Sequence, residues 1–376
     1  EKLTSASDKA TYRVLKELLE NARNTRVCRR ELWDIDHMFG WQVAYPKLLT
    51  MQPVETEAQG NNLIKRWQQL TVFLKNKQAN LTQGLELGYS APKSVVERLL
   101  TQLNGILAQN AEQSPLYSPA NRSKFENFKQ EWHGLIKNDI LPAIQDYADF
   151  LETTYLAKAR KDIGLINHPN GRACYMAYYQ EWTGLKLTPE QVYDQGKQLV
   201  SANTHEVLKL SKALWQSQNF SEAIAKSKQA ASQNFTDAQQ LIAFSRSTEQ
   251  RAKAKLADYF EHLPTAELKV EPYPEVYRGS GVPNKYLPPN QMTPYGLYQI
   301  NAFSPKEASR AKQEVTAFHE GYPGHHLQMA IATELPKAHK VMDIYGNSAF
   351  IEGWARYAEQ LADEMGLYLE PEANIV

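Results

Sequence analysis

The sequence is short of cysteine, of net charge and of long apolar runs, and each shortage removes a class of protein. Cys28 and Cys174 are the only cysteines among 376 residues. One disulfide or none is available, and no CxxC pair or cysteine–histidine ladder suggests a structural zinc. Lys plus Arg and Asp plus Glu are equal at 42 each, so no global field draws the chain to nucleic acid or an anionic membrane. The apolar stretches are broken by Lys, Glu or Gln, and none approaches the roughly 20 residues that cross a bilayer. The chain opens on Glu1 with no charged segment leading into an apolar one; any signal peptide has been removed or was never there. No GxSxG elbow or phosphate-binding loop occurs, and "GSGVPN" at 279–284 lacks the third glycine of a dinucleotide fingerprint.

What is present describes an ordinary globular chain, 42% hydrophobic and 22% charged, long enough for two or three domains. Before residue 263, stretches such as "PKSVVERLLTQLNGILAQN" and "SKFENFKQEWHGLIKNDILPAIQDYADFLETTYLAKAR" place apolar residues at helical intervals. Thr188, Pro189 and Gln191 make a capping box for another helix. After His262 the chain becomes rich in Pro, Gly and Tyr, which no long helix survives. Two short runs there, "ELKVEPY" and "GLYQINAF", alternate as strands do. We therefore expect a mainly α fold with a small β element, a helical region over 1–263 and a site-bearing region over 264–376. "SPKE" at 304–307 reads as the cap of the helix that follows the second strand. A later helix is expected to begin near Asn347 and Ser348 and to close at Gly366.

That first helix carries "TAFHEGYPGHHLQMA", with His319, His325 and His326 crowded beside Glu320. HExxH is a zinc signature because residues four apart put two imidazoles on one face. Here Pro323 stands where the second His belongs. His325 and His326 are six and seven residues beyond His319; on a regular helix the sixth lies about 120° round the axis and the seventh about 10 Å along it. Pro323 offers a solution, because it cannot donate to the carbonyl of His319 and its ring clashes there. A bulged turn, eased by Gly324, would bring His325 to the place of the missing ligand. Catalytic zinc needs a third protein ligand, for which Glu352 on the next helix is the best candidate. Glu359 and Glu364 read as solvated carboxylates paired with basic residues. "THEVLKL" at His205 and Glu206 has the same opening without a second His and reads as a solvated face. Tyr286, Tyr295 and Tyr298 could offer hydroxyls to a reacting carbonyl or simply cover core, and Asn170 with Gly171 reads as a tight turn.

"INHPNGRACYMAYYQEWTGLKLTPEQVYDQG", "GSGVPNKYLPP", "GLYQINAF", "FHEGYPGHHLQ" and "FIEGWARYAEQLADEMG" together resemble the bacterial DUF885 family. That family is of unknown function and is placed by its motif among the gluzincin-type peptidases. The resemblance covers most of residues 90 to 370. It implies a multi-helix metallopeptidase architecture with His319, His325 and Glu352 holding one Zn²⁺ and Glu320 as the catalytic carboxylate. His326, where the family tolerates other residues, is implied as a supporting or substrate-facing catalytic group. The implied activity is zinc-dependent hydrolysis of amide bonds in short peptides. The "GLYQINAF" strand, just ahead of the histidine helix, could take up an extended peptide by strand addition. The alternative is an inactive peptide-binding scaffold of the same fold. Family members run beyond Val376 through a further helical segment, so a C-terminal part is expected to be missing. Many are exported or are lipoproteins, which favours the bacterial envelope or periplasm over the cytoplasm.

Overall fold

The computed structural model describes residues 5–230, 234–275, 278, 282–290, 293–336, 339–343, 346–370 and 372–375. Part of "GSGVPN", residues 279–281, lies outside them. In chain order the helices are α1 (Ala6–Asn24), α2 (Trp41–Met51), α3 (Glu57–Trp67), α4 (Gln69–Glu86), α5 (Lys93–Leu107), α6 (Ser118–Arg122), α7 (Glu126–Leu135), α8 (Leu141–Phe150), α9 (Gly171–Thr183), α10 (Pro189–Trp215), α11 (Phe220–Ala230), α12 (Ala238–Lys255), α13 (Arg310–Glu320), α14 (His325–Glu334) and α15 (Ser348–Glu364). Strands β1 (Leu268–Pro272), β2 (Lys285–Leu287) and β3 (Gly296–Ile300) complete a mainly α fold. The chain divides into two compact units, one of Arg23–Ala177 and one of Glu1–Ala22 with Tyr178–Val376. The change of character read after residue 263 falls inside the second of these, where helices give way to the sheet.

The Arg23–Ala177 unit is built on amphipathic helices whose apolar stripes meet around Trp67, Phe128 and Trp132. Phe128 stacks on Trp132, with ring centroids 5.8 Å apart, and the Trp132 indole N–H donates to the carbonyl of Leu116 at 3.1 Å, so its polar handle is satisfied in the core. The expected single helix through "LIKNDILPAIQ" widens into a π turn over Ile136–Ile140. Pro142 follows in the first turn of α8; the wider turn absorbs its missing N–H and its ring while the helix continues. Cys28 and Cys174 form a disulfide with Cα atoms 4.7 Å apart, which settles the pairing that the sequence left open. Just before it, Asn170 takes a left-handed φ of 57°, and a Cβ on Gly171 would stand 1.9 Å from the Leu165 carbonyl oxygen. The tight turn read there is present.

In the other unit, Thr188 and Gln191 form the expected capping box on α10, and Asn347 caps α15 by accepting from the Phe350 N–H. His205 and Glu206 lie exposed on α10. "SPKE" does not open a helix: Pro305–Glu307 is a single 3-10 turn in which Ser304 makes no cap, and α13 begins later, capped by Ser309. The sheet order is β1-β3-β2, with β1 parallel and β2 antiparallel to β3. β2 spans three residues, too few for alternation to reveal it. Its pairing corrects the strand-addition expectation, because β3 has a neighbour on both edges and no free ladder to offer a peptide. Tyr298 is fully buried and its hydroxyl takes a bond from Gln313 at 2.8 Å, which assigns it to the core. α13 is wedged between two apolar clusters, Phe318 facing Leu256, Leu361 and Met365 and Ala317 facing Leu241 and Ile300. One turn earlier, the buried Glu314 binds Arg251 and the N–H groups of Leu369 and Glu370, tying the chain after α15 back to α13.

The disulfide closes a loop with a sequence separation of 146 residues. Reduction, or Cys28→Ser with Cys174→Ser, is expected to lower the unfolding free energy of this unit by about 2–5 kcal/mol. Urea denaturation with and without reductant measures it; coincident midpoints would refute a stabilising bridge.

Candidate metal centre

The sequence expected one helix with a bulge; the structure has two helices. α13 ends at Glu320, the backbone leaves helical geometry at Gly321 (φ −104°, ψ −118°), and α14 starts at His325. Gly324 is required by close approach, since a Cβ there would lie 2.0 Å from the His319 carbonyl oxygen and 2.3 Å from that of Phe318. The backbone groups freed by the break are taken up locally. The Tyr322 N–H donates to Glu249 of α12 at 2.9 Å. The Trp354 indole N–H of α15 donates to the carbonyls of Pro323 and Gly324 at 3.0 and 3.2 Å. The His326 N–H reaches back to the Gly321 carbonyl at 3.1 Å.

The break turns the two imidazoles towards each other, with ring centroids 4.7 Å apart and planes at 85°. Glu352 faces both: its Oε2 lies 3.5 Å from His319 Nε2 and 3.7 Å from His325 Nε2. One ligand atom from each of the three residues falls within 4.8 Å of the others. Tetrahedral zinc with ligands at about 2.1 Å would space them about 3.4 Å apart, so the donor set fits in type and in spacing. The Glu352 side chain is 58% exposed, which leaves the cluster open to solvent on that side. The imidazoles behind it are mostly buried.

Electrostatics follow from that burial. His325 is held below its usual pKa first by desolvation and then by the neighbouring His319, with Glu352 opposing. Burial also pulls His319 down, but its bond to Glu359 and the charges of Glu320, Glu359 and Glu352 outweigh this and leave its pKa raised. Glu320 is buried beside His319. Desolvation lifts it to about 7 and Glu352 adds to the rise; His319, the Tyr286 backbone N–H and Lys285 oppose it. A carboxyl poised there can exchange a proton near neutral pH.

Two expectations change. Glu359 does pair with Arg356, at 2.5 Å, but it is mostly buried and its Oε1 binds His319 Nδ1 at 2.8 Å. It holds the His319 ring rather than standing in solvent; its place two turns beyond Glu352 on one helix face was the signal available. Glu364, by contrast, is solvated. His326 is fully buried, with Nδ1 at 2.9 Å from the Tyr286 hydroxyl and Nε2 at 3.0 Å from that of Tyr322 and 3.1 Å from the Ala266 carbonyl. A substrate could reach neither nitrogen without displacing a protein partner. Burial, the main influence, and Lys253 hold His326 at about 4, against the bond to Ala266. Tyr286 spends its hydroxyl on this His, while Tyr295 lies under the Lys269 ammonium. Glu249, Tyr322 and Trp354 carry no spacing signal that sequence reasoning could have used.

The fold and site define a mainly helical protein with a two-histidine, one-glutamate cluster suited to a metal ion. The chain belongs to the DUF885 family, bacterial proteins of unknown function, whose sequence model matches residues 1–376. No curated protein sequence matches it. Among solved structures it is similar to a candidate lipoprotein from Colwellia psychrerythraea, with a TM-score of 0.79 at 21% identity over 91% of this chain. The chain spans 62% of that protein's length. No helix among the described residues is long and apolar enough to cross a membrane.

A carboxyl raised from 4.5 to about 7 binds its proton more tightly when folded, so it costs stability as pH rises above its unfolded value. In chelator-treated protein, Glu320→Gln is expected to raise stability at pH 8 by about 1–3 kcal/mol and to change little at pH 4. Thermal melts at the two pH values check this; equal stability at pH 8 would contradict the burial account.

Proposed function

We propose that this protein is a zinc-dependent peptidase acting on short peptides. The observation that carries the reading is the meeting of His319, His325 and Glu352 ligand atoms next to Glu320, a carboxyl at about 7. A zinc ion held by those three residues would acidify a water and polarise a carbonyl there. Glu320 would take the proton of the attacking water on its carboxylate and return it to the leaving amine. Glu359, accepting from His319 Nδ1, keeps the Nε2 lone pair turned towards Glu352. His326 and Tyr286 brace one another, and through Tyr286 they brace β2 beside Glu320. The outer edge of β2, whose Tyr286 N–H is directed at the Glu320 carboxylate, is where an extended peptide backbone would lie. A disulfide favours an oxidising compartment, and the candidate lipoprotein from Colwellia psychrerythraea points the same way, so we place the protein in the bacterial envelope.

Purified protein is expected to take up one zinc, measured by plasma mass spectrometry, and His319→Ala to take up none. Glu359→Ala should weaken zinc binding about 10–100-fold. Glu320→Gln should keep the metal and lose about 10²–10⁴-fold in cleavage of a quenched fluorescent peptide library. Loaded protein that binds those peptides without cutting them would establish the scaffold reading instead.

A further inference from the structure

Glu249 of α12 is a buried carboxylate that the hydrolysis scheme does not use, and its position is costly. Its Oε1 is buried without a hydrogen-bond partner among the described residues. Burial, the main influence, and the charge of Glu320 keep its pKa well above the usual range, though the Tyr322 N–H and Arg251 oppose them. Such a group calls for an explanation. Its surroundings supply one.

The carboxylate lies flat against the break between the two ligand histidines. A Cβ on Gly321 would meet its Oε1, Oε2 and Cδ at 2.0, 2.1 and 2.2 Å, and its Oε2 accepts from the Tyr322 N–H. In an unbroken helix that N–H would donate to the carbonyl of Phe318, so Glu249 stands in for the acceptor that the break removes. A cavity of about 500 Å³, lined by Arg246, Glu249, Lys253, Leu268, Val270 and Tyr322 among others, borders the turn at Tyr322 beside this carboxyl. On the other flank, Trp354 holds the carbonyls of Pro323 and Gly324.

We propose that Glu249 is a positioning residue: by accepting from Tyr322 and seating against Gly321, it sets the separation of His319 and His325 and thereby their grip on a metal. The inference rests on reading those histidines as ligands. Glu249 itself touches no ligand; it acts through the backbone between them.

The test compares the parent with Glu249→Gln, which keeps an acceptor, Glu249→Met, which fills similar space without one, and Gly321→Ala, which displaces the carboxylate. Zinc affinity is read by competition with a chromophoric chelator, folding by thermal melting, and local order in metal-free protein by amide exchange over residues 318–326. Glu249→Gln is expected within about threefold of the parent, and Glu249→Met and Gly321→Ala about 10–100-fold weaker. Their combination should be little worse than either alone, because both break one contact. Exchange should quicken in Glu249→Met and stay slow in Glu249→Gln. Parent-like affinity and exchange in a folded Glu249→Met would overturn the proposal, as would a Glu249→Gln as weak as Glu249→Met. Should Glu249→Met fail to fold, Gly321→Ala against Glu249→Gln decides. If the parent binds no zinc, the ligand reading falls and exchange alone decides whether Glu249 orders the turn.

Discussion

Two imidazoles six residues apart, His319 and His325, lie with ring centroids 4.7 Å apart, and an unbroken helix cannot bring them there. The rest of the site follows from how the chain escapes that constraint. Proline alone does not dictate the outcome. Pro142 follows a π turn and the helix runs on, whereas Pro323 sits in a full break between α13 and α14. The difference lies in its neighbours. Gly321 and Gly324 adopt ψ near −118° and −129°, and Gly324 lets the returning chain touch the carbonyls of the helix it has just left.

A break buried in a protein frees backbone groups that water cannot satisfy, and each must find a partner. Here the partners come from separate elements, so satisfying the backbone and building the site are one event. α15 serves several needs at once: Glu352 faces both histidines, Trp354 ties down the turn, and Glu359 holds His319 from behind. α12 contributes Glu249. The sheet contributes Tyr286, which pins His326.

How much of this was legible in the sequence depended on whether the signal was periodic or spatial. Apolar spacing revealed most helices and strands β1 and β3, and cap residue types marked the helix starts at Thr188 and Asn347. The HE pair with its displaced histidine pointed to His319, Glu320 and His325, and Glu352 followed from the need for a third ligand. Neither the split of the helix nor the start of α13 at Ser309 was legible, because both depend on tertiary contacts that decide whether a strained turn widens or breaks. Glu359 was misread for a related reason. Its Arg356 neighbour is a surface pattern, and only the packing of α15 on α13 makes the carboxylate a partner of His319.

Burial couples the roles within the cluster. Removing water keeps His325 neutral, the form that can ligate, and the same removal lifts Glu320 into the range of a base near neutral pH. His319 meets a stronger pull towards its charged form from Glu359 and its other acidic neighbours. Glu359 occupies the Nδ1 side of that ring, so Nε2 is the nitrogen turned towards Glu352. The short turn from Gly321 to Gly324 thus sets the spacing of His319 and His325, their protonation and the proton affinity of Glu320 together. A substitution that loosens it would open the cluster to water and weaken all three, which is why the surrounding elements converge on its backbone rather than on the ligands alone.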